Sequence, residues 1–268
     1  MGRLAGAEPF SHQGGATGVL LCHGFTGSPQ SLRPWAGFLA EAGLSVSLPL
    51  LPGHGTSWQE MNHTTSDDWL AAAEAALAEL RGRCDEVFVM GLSMGGCLAL
   101  RLAETHGAGQ HGAGVRGLVL VNPSLAPDTK LFLVAPLLKR VIRSMPAIGN
   151  DIKKPGAVEL SYDRVPAVAA ASLPRLWKAT ARDLPQVSQP VLVYRSTVDH
   201  VVGPPSMRVL EAGLRPELLT VRACHDSYHV ATMDNDAQAI FTGSLQFVRD
   251  HSAGPKWGVQ EGRGEART

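Results

Sequence analysis

The chain has 268 residues, and its 24 basic and 24 acidic side chains give a formal net charge of zero. That length suffices for one large α/β domain or two small ones with a sizeable core, and the lack of a basic block argues against a nucleic-acid partner. No apolar run is long enough to span a bilayer, and residues 1–9 lack the continuous apolar segment of a secretory signal, so a cytoplasmic protein is expected.

After a polar lead-in, Gly18–His23 reads as a buried strand that runs into Gly24-Phe25-Thr26-Gly27-Ser28-Pro29. A helix follows with Leu32, Trp35, Phe38, Leu39 and Ala42 on one face, stopping near Gly43. Strand Leu44–Leu48 leads into a Pro/Gly-rich loop over 51–56. Helix Asp67–Leu80 comes next, with Ser66 as N-cap and acids in its first turn. Val87–Met90 is a buried strand, Gly95 onward a helix, and Val115–Val121 another strand. Strands alternating with helices at this spacing mean a parallel sheet with crossovers. The alternation pauses from Asn122 to Gln189. Helical pieces at Lys130–Ser144 and Val165–Thr180, broken by five prolines, read as an inserted cap over the sheet edge. It then resumes with strand Val191–Arg195, a helix near Ser206–Ala212, strand Leu218–Arg222 and a last helix, Ala237–His251. Residues 252–268, rich in Gly and charge, are expected to be a disordered tail. One α/β domain over 1–251, with its cap at about 123–189, is the expected organisation. Cys22, Cys84, Cys97 and Cys224 have no C-x-x-C spacing and read as buried free thiols.

The pattern Gly91-x-Ser93-x-Gly95 lies at the junction of a buried strand and a helix. An abrupt strand-to-helix turn forces its central residue to positive φ and leaves no room for a Cβ on either side. Ser93 would therefore stand out from the top of the sheet as a nucleophile, beside helix N–H groups suited to a developing oxyanion. Such a serine needs a base and a group that orients the base. Asp199 follows the strand Val191–Arg195, and His229 follows the next strand. The order Ser93, Asp199, His229 makes Ser93 the nucleophile, His229 the general base and acid, and Asp199 its orienting carboxylate. His225 is the fallback base among ten histidines; Asp226 and Asp163 compete with Asp199. Backbone N–H groups of Met94 and Phe25 would form the oxyanion hole. His23 and His54 are expected to brace loops beside the site. No His/Cys/Asp cluster has metal-ligand spacing.

Taken together, the segments His23–Gly27, Leu51–Thr56, Gly91–Gly96, Asp199–Val202 and Ser227–Thr232 resemble bacterial monoacylglycerol lipases and related small carboxylesterases of the α/β-hydrolase superfamily. Gly6–Phe10, and Asp151–Pro155 running on to Glu159–Asp163, resemble the monoacylglycerol lipase branch in particular. The likeness runs to about His251 and is weakest over Ser124–Ser144; Gly203-Pro204-Pro205 carries one residue more than the family pattern. The resemblance implies an α/β-hydrolase fold (mostly parallel central sheet, small helical cap). It also implies hydrolysis of a monoester of glycerol and a fatty acid, with no metal or organic cofactor. It pairs Glu159 with a glycerol hydroxyl, whereas the residues alone would leave Glu159 a solvated surface side chain.

The apolar cap run Leu131–Leu138 reads either as packing against the body or as a hydrophobic mouth touching a micelle or membrane. Three alternatives stand beside the lipase reading. They are a general carboxylesterase, acyl transfer to an acceptor other than water, and a binding protein on a hydrolase scaffold.

Overall fold

The computed structural model describes residues 2–107, 114–127, 142–147 and 149–253. The apolar run Leu131–Leu138, the helix expected from Lys130 as far as residue 141, and tail residues 254–268 lie outside the described residues. Nine strands are present among those described: β1 (Phe10–His12), β2 (Thr17–Cys22), β3 (Ser45–Leu48), β4 (Glu86–Leu92), β5 (Val115–Val121), β6 (Ser144–Pro146), β7 (Arg164–Pro166), β8 (Val191–Ser196) and β9 (Leu219–Cys224). Seven of them form one sheet in the order β1-β3-β2-β4-β5-β8-β9, parallel throughout except for β1. The α-helices among the described residues are α1 (Arg33–Glu41), α2 (Trp58–Met61), α3 (Ser66–Arg81), α4 (Met94–Thr105), α5 (Ala167–Ala170), α6 (Leu173–Asp183), α7 (Pro204–Gly213) and α8 (Ala237–His251).

The central strands are apolar at nearly every position because both faces of the sheet are covered. Successive side chains point to opposite faces. Leu20, Val87, Val89, Leu118 and Leu120 therefore pack with Trp69 and Leu77 of α3, most of α4, and Leu173 and Trp177 of α6. Val19, Leu21, Phe88, Met90, Val119 and Val121 pack with Trp35 and Leu39 of α1 and Ile240, Phe241 and Val248 of α8. Each such fully buried side chain is worth about 1.5–3 kcal/mol relative to exposure.

Several local expectations need correction. The polar lead-in contains β1, an exposed three-residue edge strand antiparallel to β3 with Phe10 opposite Leu48. Helix α3 starts at Ser66, not Asp67, and its N-cap is Thr65, whose N–H donates to Asp68 Oδ2 at 2.8 Å. The Ser66 hydroxyl instead donates to Ser172 O at 3.3 Å, tying α3 to the segment ahead of α6. The helical pieces expected in Val165–Thr180 are α5 and most of α6, but the stretch opens with part of β7, and Pro174 breaks nothing: it lies in the first turn of α6, where its missing N–H costs nothing. β6 and β7 pair as an antiparallel ribbon that the proline-rich sequence does not suggest. Ser252 and Ala253, assigned to the tail, are bonded: Ser252 N–H donates to Val248 O at 2.9 Å and Ala253 N–H to Glu86 Oε2 at 3.0 Å.

The β4–α4 junction has the expected geometry. Ser93 sits at φ 56°, ψ −119°, outside every region comfortable for an L-residue. A Cβ on Gly91 would lie 2.2 Å from Gly95 O, and one on Gly95 would lie 1.9 Å from Cys22 O. Both obstacles are backbone, so no rotamer change relieves them. Gly95→Ala is accordingly expected to cost about 3 kcal/mol or more, read as a lower urea midpoint at unchanged slope. An unaltered midpoint would refute the close-approach argument.

Candidate active site

Ser93 opens into a cavity of about 340 Å³ that is also lined by Phe25, Met94, Glu159 and His229. Met94 is the first residue of α4, so its N–H has no intrahelical acceptor and lies at the positive end of a twelve-residue helix. Phe25 is in the loop after β2, and a Cβ on Gly24 would lie 3.5 Å from Ser93 Cβ, so this loop runs directly beside the serine. Both backbone amides are thus on segments adjoining the hydroxyl.

The imidazole of His229 is held from one side. Its Nδ1 lies 3.0 Å from Asp199 Oδ2 and 3.1 Å from Oδ1, which makes Nδ1 the donor and leaves Nε2 as the ring's acceptor. The Asp199 side chain is fully buried. Oδ1 also accepts the N–H groups of Val201 at 2.9 Å and Val202 at 2.8 Å, and Oδ2 accepts from Arg195 Nη1 at 2.7 Å. Burial pulls this carboxyl up, but the hydrogen bonds from His229 and the two amides outweigh it, and the group is held below the usual carboxylate range. In Gly203–Pro205, Gly203 is the N-cap of α7 and the two prolines form its first turn. An imidazole fixed in this tautomer can take a proton from a serine hydroxyl and return it to a leaving group.

The rivals His225, Asp226 and Asp163 do not line the cavity. His225 and Asp163 are exposed, and Asp226 is exposed and pairs with Lys153 Nζ at 2.5 Å. His200 does line the cavity, but its Nδ1 is engaged by Asp151 Oδ1 at 2.7 Å. His23 and His54 brace loops. His23 Nδ1 donates to Gly24 O at 3.0 Å and its Nε2 accepts from Leu51 N–H at 3.1 Å. Burial lowers His23 to about 4 and drives His54 well below the ordinary histidine value, so both are neutral at pH 7.

Glu159 departs from the solvated reading. It is half-buried on the cavity wall, and a Cβ on Gly27 would come within 3.0 Å of its Oε1. Burial raises its carboxyl, with His229 and Ser161 acting in the opposite direction. Three residues given no site role from sequence also belong to the site's framework. Asn122, fully buried at φ 44°, donates to His229 O at 2.8 Å and accepts from Ser196 N–H at 2.9 Å. Asp151 Oδ2 accepts the N–H groups of both His229 and His200 at 3.1 Å. Arg195 is the third; a lone charge at the end of the apolar run Val191–Tyr194 was its signal.

Among the described residues no group of three or more His, Cys, Asp or Glu side chains is arranged to hold a metal ion, and no helix is long and apolar enough to cross a membrane. All four cysteines are free and buried, and burial pushes the Cys22 and Cys97 thiols up to about 12.

Comparison with known proteins accords with this geometry. Residues 19–241 match the model of the alpha/beta hydrolase family. The chain is 39% identical over 254 residues to the thermostable monoacylglycerol lipase of Bacillus sp. (strain H-257), covering 93% of this chain and 97% of that protein. It is 22% identical to a carboxylesterase of Bacillus subtilis (strain 168) over 90% of this chain and 96% of the relative. A solved structure from LipS and LipT, two metagenome-derived lipolytic enzymes, superposes with a TM-score of 0.88 at 38% identity, covering 93% of this chain and all of the other. The monoacylglycerol lipase of Paleococcus ferrophilus, at 22% identity and a TM-score of 0.74 over 91% of this chain and all of its own, shares the fold. The chain belongs to the alpha/beta hydrolase family, as a monoacylglycerol lipase-like member.

Proposed function

We propose that this protein hydrolyses monoacylglycerols to a fatty acid and glycerol through an acyl-enzyme on Ser93. The observation that carries the reading is the shared cavity: a strained serine, an imidazole whose Nδ1 is held by a buried carboxylate, and a cap carboxylate on the same wall. The 39% identical relative, itself named a monoacylglycerol lipase, supports the substrate class.

In this mechanism His229 Nε2 takes the Ser93 proton as Oγ attacks the ester carbonyl. The oxyanion receives the N–H groups of Met94 and Phe25, each such donor being worth about 100–1,000-fold in rate. The protonated imidazole then gives its proton to the departing glycerol oxygen. A water, deprotonated by His229, next attacks the acyl-enzyme and frees the fatty acid and Ser93. Asp199 keeps the imidazole in the required tautomer and stabilises its cationic form. Apolar side chains of the cavity wall, among them Met145, Val165, Leu173 and Trp177, suit the acyl chain, and Glu159 suits a glycerol hydroxyl. Each methylene is worth about 0.8 kcal/mol, so selection for chain length is expected to be broad.

The organisation proposed with it is one hydrolase domain over 1–251 with a cap at about 123–189. The run Leu131–Leu138 would touch the micelle or membrane that presents the substrate. Free buried thiols suit a cytoplasmic enzyme.

The direct test is paired kinetics on a medium-chain monoacylglycerol and the matching diacylglycerol, before and after a fluorophosphonate. Turnover of the monoester alone, abolished on labelling, is the expected result. Equal handling of both would move the assignment to a general carboxylesterase, the activity named for the 22% identical relative.

Ser93→Ala is expected to lower kcat by about 10⁴-fold or more, and full activity in that variant would end the proposal.

For Glu159→Ala, the loss of a hydrogen bond to a charged acceptor corresponds to about a 10- to 100-fold drop in kcat/KM on monoacylglycerol, with little change on a small aryl ester. An equal drop on both esters would remove Glu159 from glycerol recognition.

A further inference from the structure

Strand β8 reads Val-Leu-Val-Tyr-Arg-Ser, and Arg195 is its one charged side chain. A guanidinium on an interior strand needs compensation. Arg195 finds it at the acid of the candidate triad. Nη1 donates to Asp199 Oδ2 at 2.7 Å and to Asn122 Oδ1 at 3.3 Å, and Nη2 donates to Val202 O at 2.5 Å. The contacts close a ring: Arg195 to Asp199, Asp199 to His229 Nδ1, His229 O to Asn122 Nδ2 at 2.8 Å, and Asn122 Oδ1 back to Arg195. The Arg195 side chain is 17% exposed and that of Asp199 is 0% exposed, so water screens this pair weakly.

We propose that Arg195 is a positioning residue that fixes the Asp199 carboxylate and, by its permanent charge, disfavours protonation of the Asp199–His229 pair, extending activity toward acid pH. This inference rests on the hydrolase reading of the same site.

The charges around His229 give the direction. Asp199 faces its Nδ1, Asp151 accepts its main-chain N–H, and Glu159 shares its cavity. His200, with its Nδ1 on Asp151, is the other titratable group bonded to this set, and Tyr228 packs edge-on against His200. Three carboxylates thus surround the ring, and the guanidinium bound to Asp199 offsets the nearest of them. Replacing Arg195 by a neutral side chain strips that offset from the carboxylate on Nδ1, and activity is expected to fall off sooner on acidification. The amides of Val201 and Val202 hold Oδ1 independently, so the acid loop keeps some of its support without Arg195.

The experiment is the pH dependence of kcat/KM on a soluble short-chain p-nitrophenyl ester for the parent, R195K, R195Q and R195M. The acid limb is expected to move up by about 0.5–1 pH unit in R195Q and R195M. R195K, which keeps the charge and loses the fork, should keep the parent's acid limb with a lower plateau. Fluorophosphonate inactivation rates measured across the same pH range report only folded sites, so a variant that folds incompletely is still readable. An acid limb unmoved in the neutral variants overturns the proposal and leaves Arg195 a structural brace, whatever happens to the plateau or to Tm. Ser93→Ala in parallel separates the two readings. Turnover surviving there overturns the hydrolase reading, while turnover lost there with an unmoved limb in R195Q overturns the role of Arg195 alone.

Discussion

A serine held at φ 56°, ψ −119° is the constraint around which this molecule is arranged. Such a backbone costs about 1–3 kcal/mol and persists only where its surroundings over-determine it. Here they do. Ser93 N–H donates to Val121 O at the end of β5, while Ser93 O accepts from Gly96, Cys97 and Ser124. The turn is so tight that the start of α4 presses on the end of β2, leaving no space for a Cβ at Gly95. One close approach therefore does two things. It projects the hydroxyl, and it brings the Gly24–Phe25 loop beside it.

The polar framework around the turn sorts into neutral and charged groups, by burial and partners. His23 and His54 are buried without a carboxylate, so desolvation keeps them neutral and they serve as hydrogen-bonding struts for the loops after β2 and β3. His229 meets a carboxylate that is itself satisfied by two amides and a guanidinium. A buried charge with that many partners avoids most of the penalty an unpaired one would carry. Asp234 acts in a similar way farther from the serine. Its carboxylate is buried and accepts N–H groups from Lys153, Lys154, Tyr228 and Asn235 at 2.7–2.9 Å, strapping the Lys153–Lys154 segment to the loop that carries His229.

Much of this was legible in the residues. Strands buried on both faces are apolar at nearly every position, so β2, β4, β5 and β8 stand out without knowledge of their neighbours. The Gly-x-Ser-x-Gly turn announces itself because only glycine satisfies its two close contacts. The features that escaped are those whose cause lies far away in sequence. β1 exists because β3 offers it an edge; three residues carry no periodicity of their own. Ser66 looked like a cap, yet Thr65 holds that role because Asp68 reaches back to it, and Ser66 is drawn to Ser172 instead. Asn122 reads as an ordinary turn residue until β8 and the His229 loop surround it.

Glu159 shows why pattern reading stops at the proposed cap. By its neighbours it belongs on a surface: Val158 is 65% exposed. What turns the side chain inward is a pair of bonds from Gln30, some 130 residues earlier. Its Nε2 donates to Val158 O at 2.9 Å, and its Oε1 accepts from Leu160 N–H at 3.0 Å, clamping the chain on both sides of Glu159. Tyr162 completes the clamp, its N–H donating to Thr26 O at 3.2 Å and its hydroxyl to Gly53 O at 2.7 Å. Thr26 is in the same loop as Phe25, so the Glu159 carboxylate and the proposed oxyanion loop share one support. A change that shifted Glu159 would therefore be felt at the amide proposed to stabilise the oxyanion, which couples the proposed recognition of the alcohol end to the proposed chemistry at the ester.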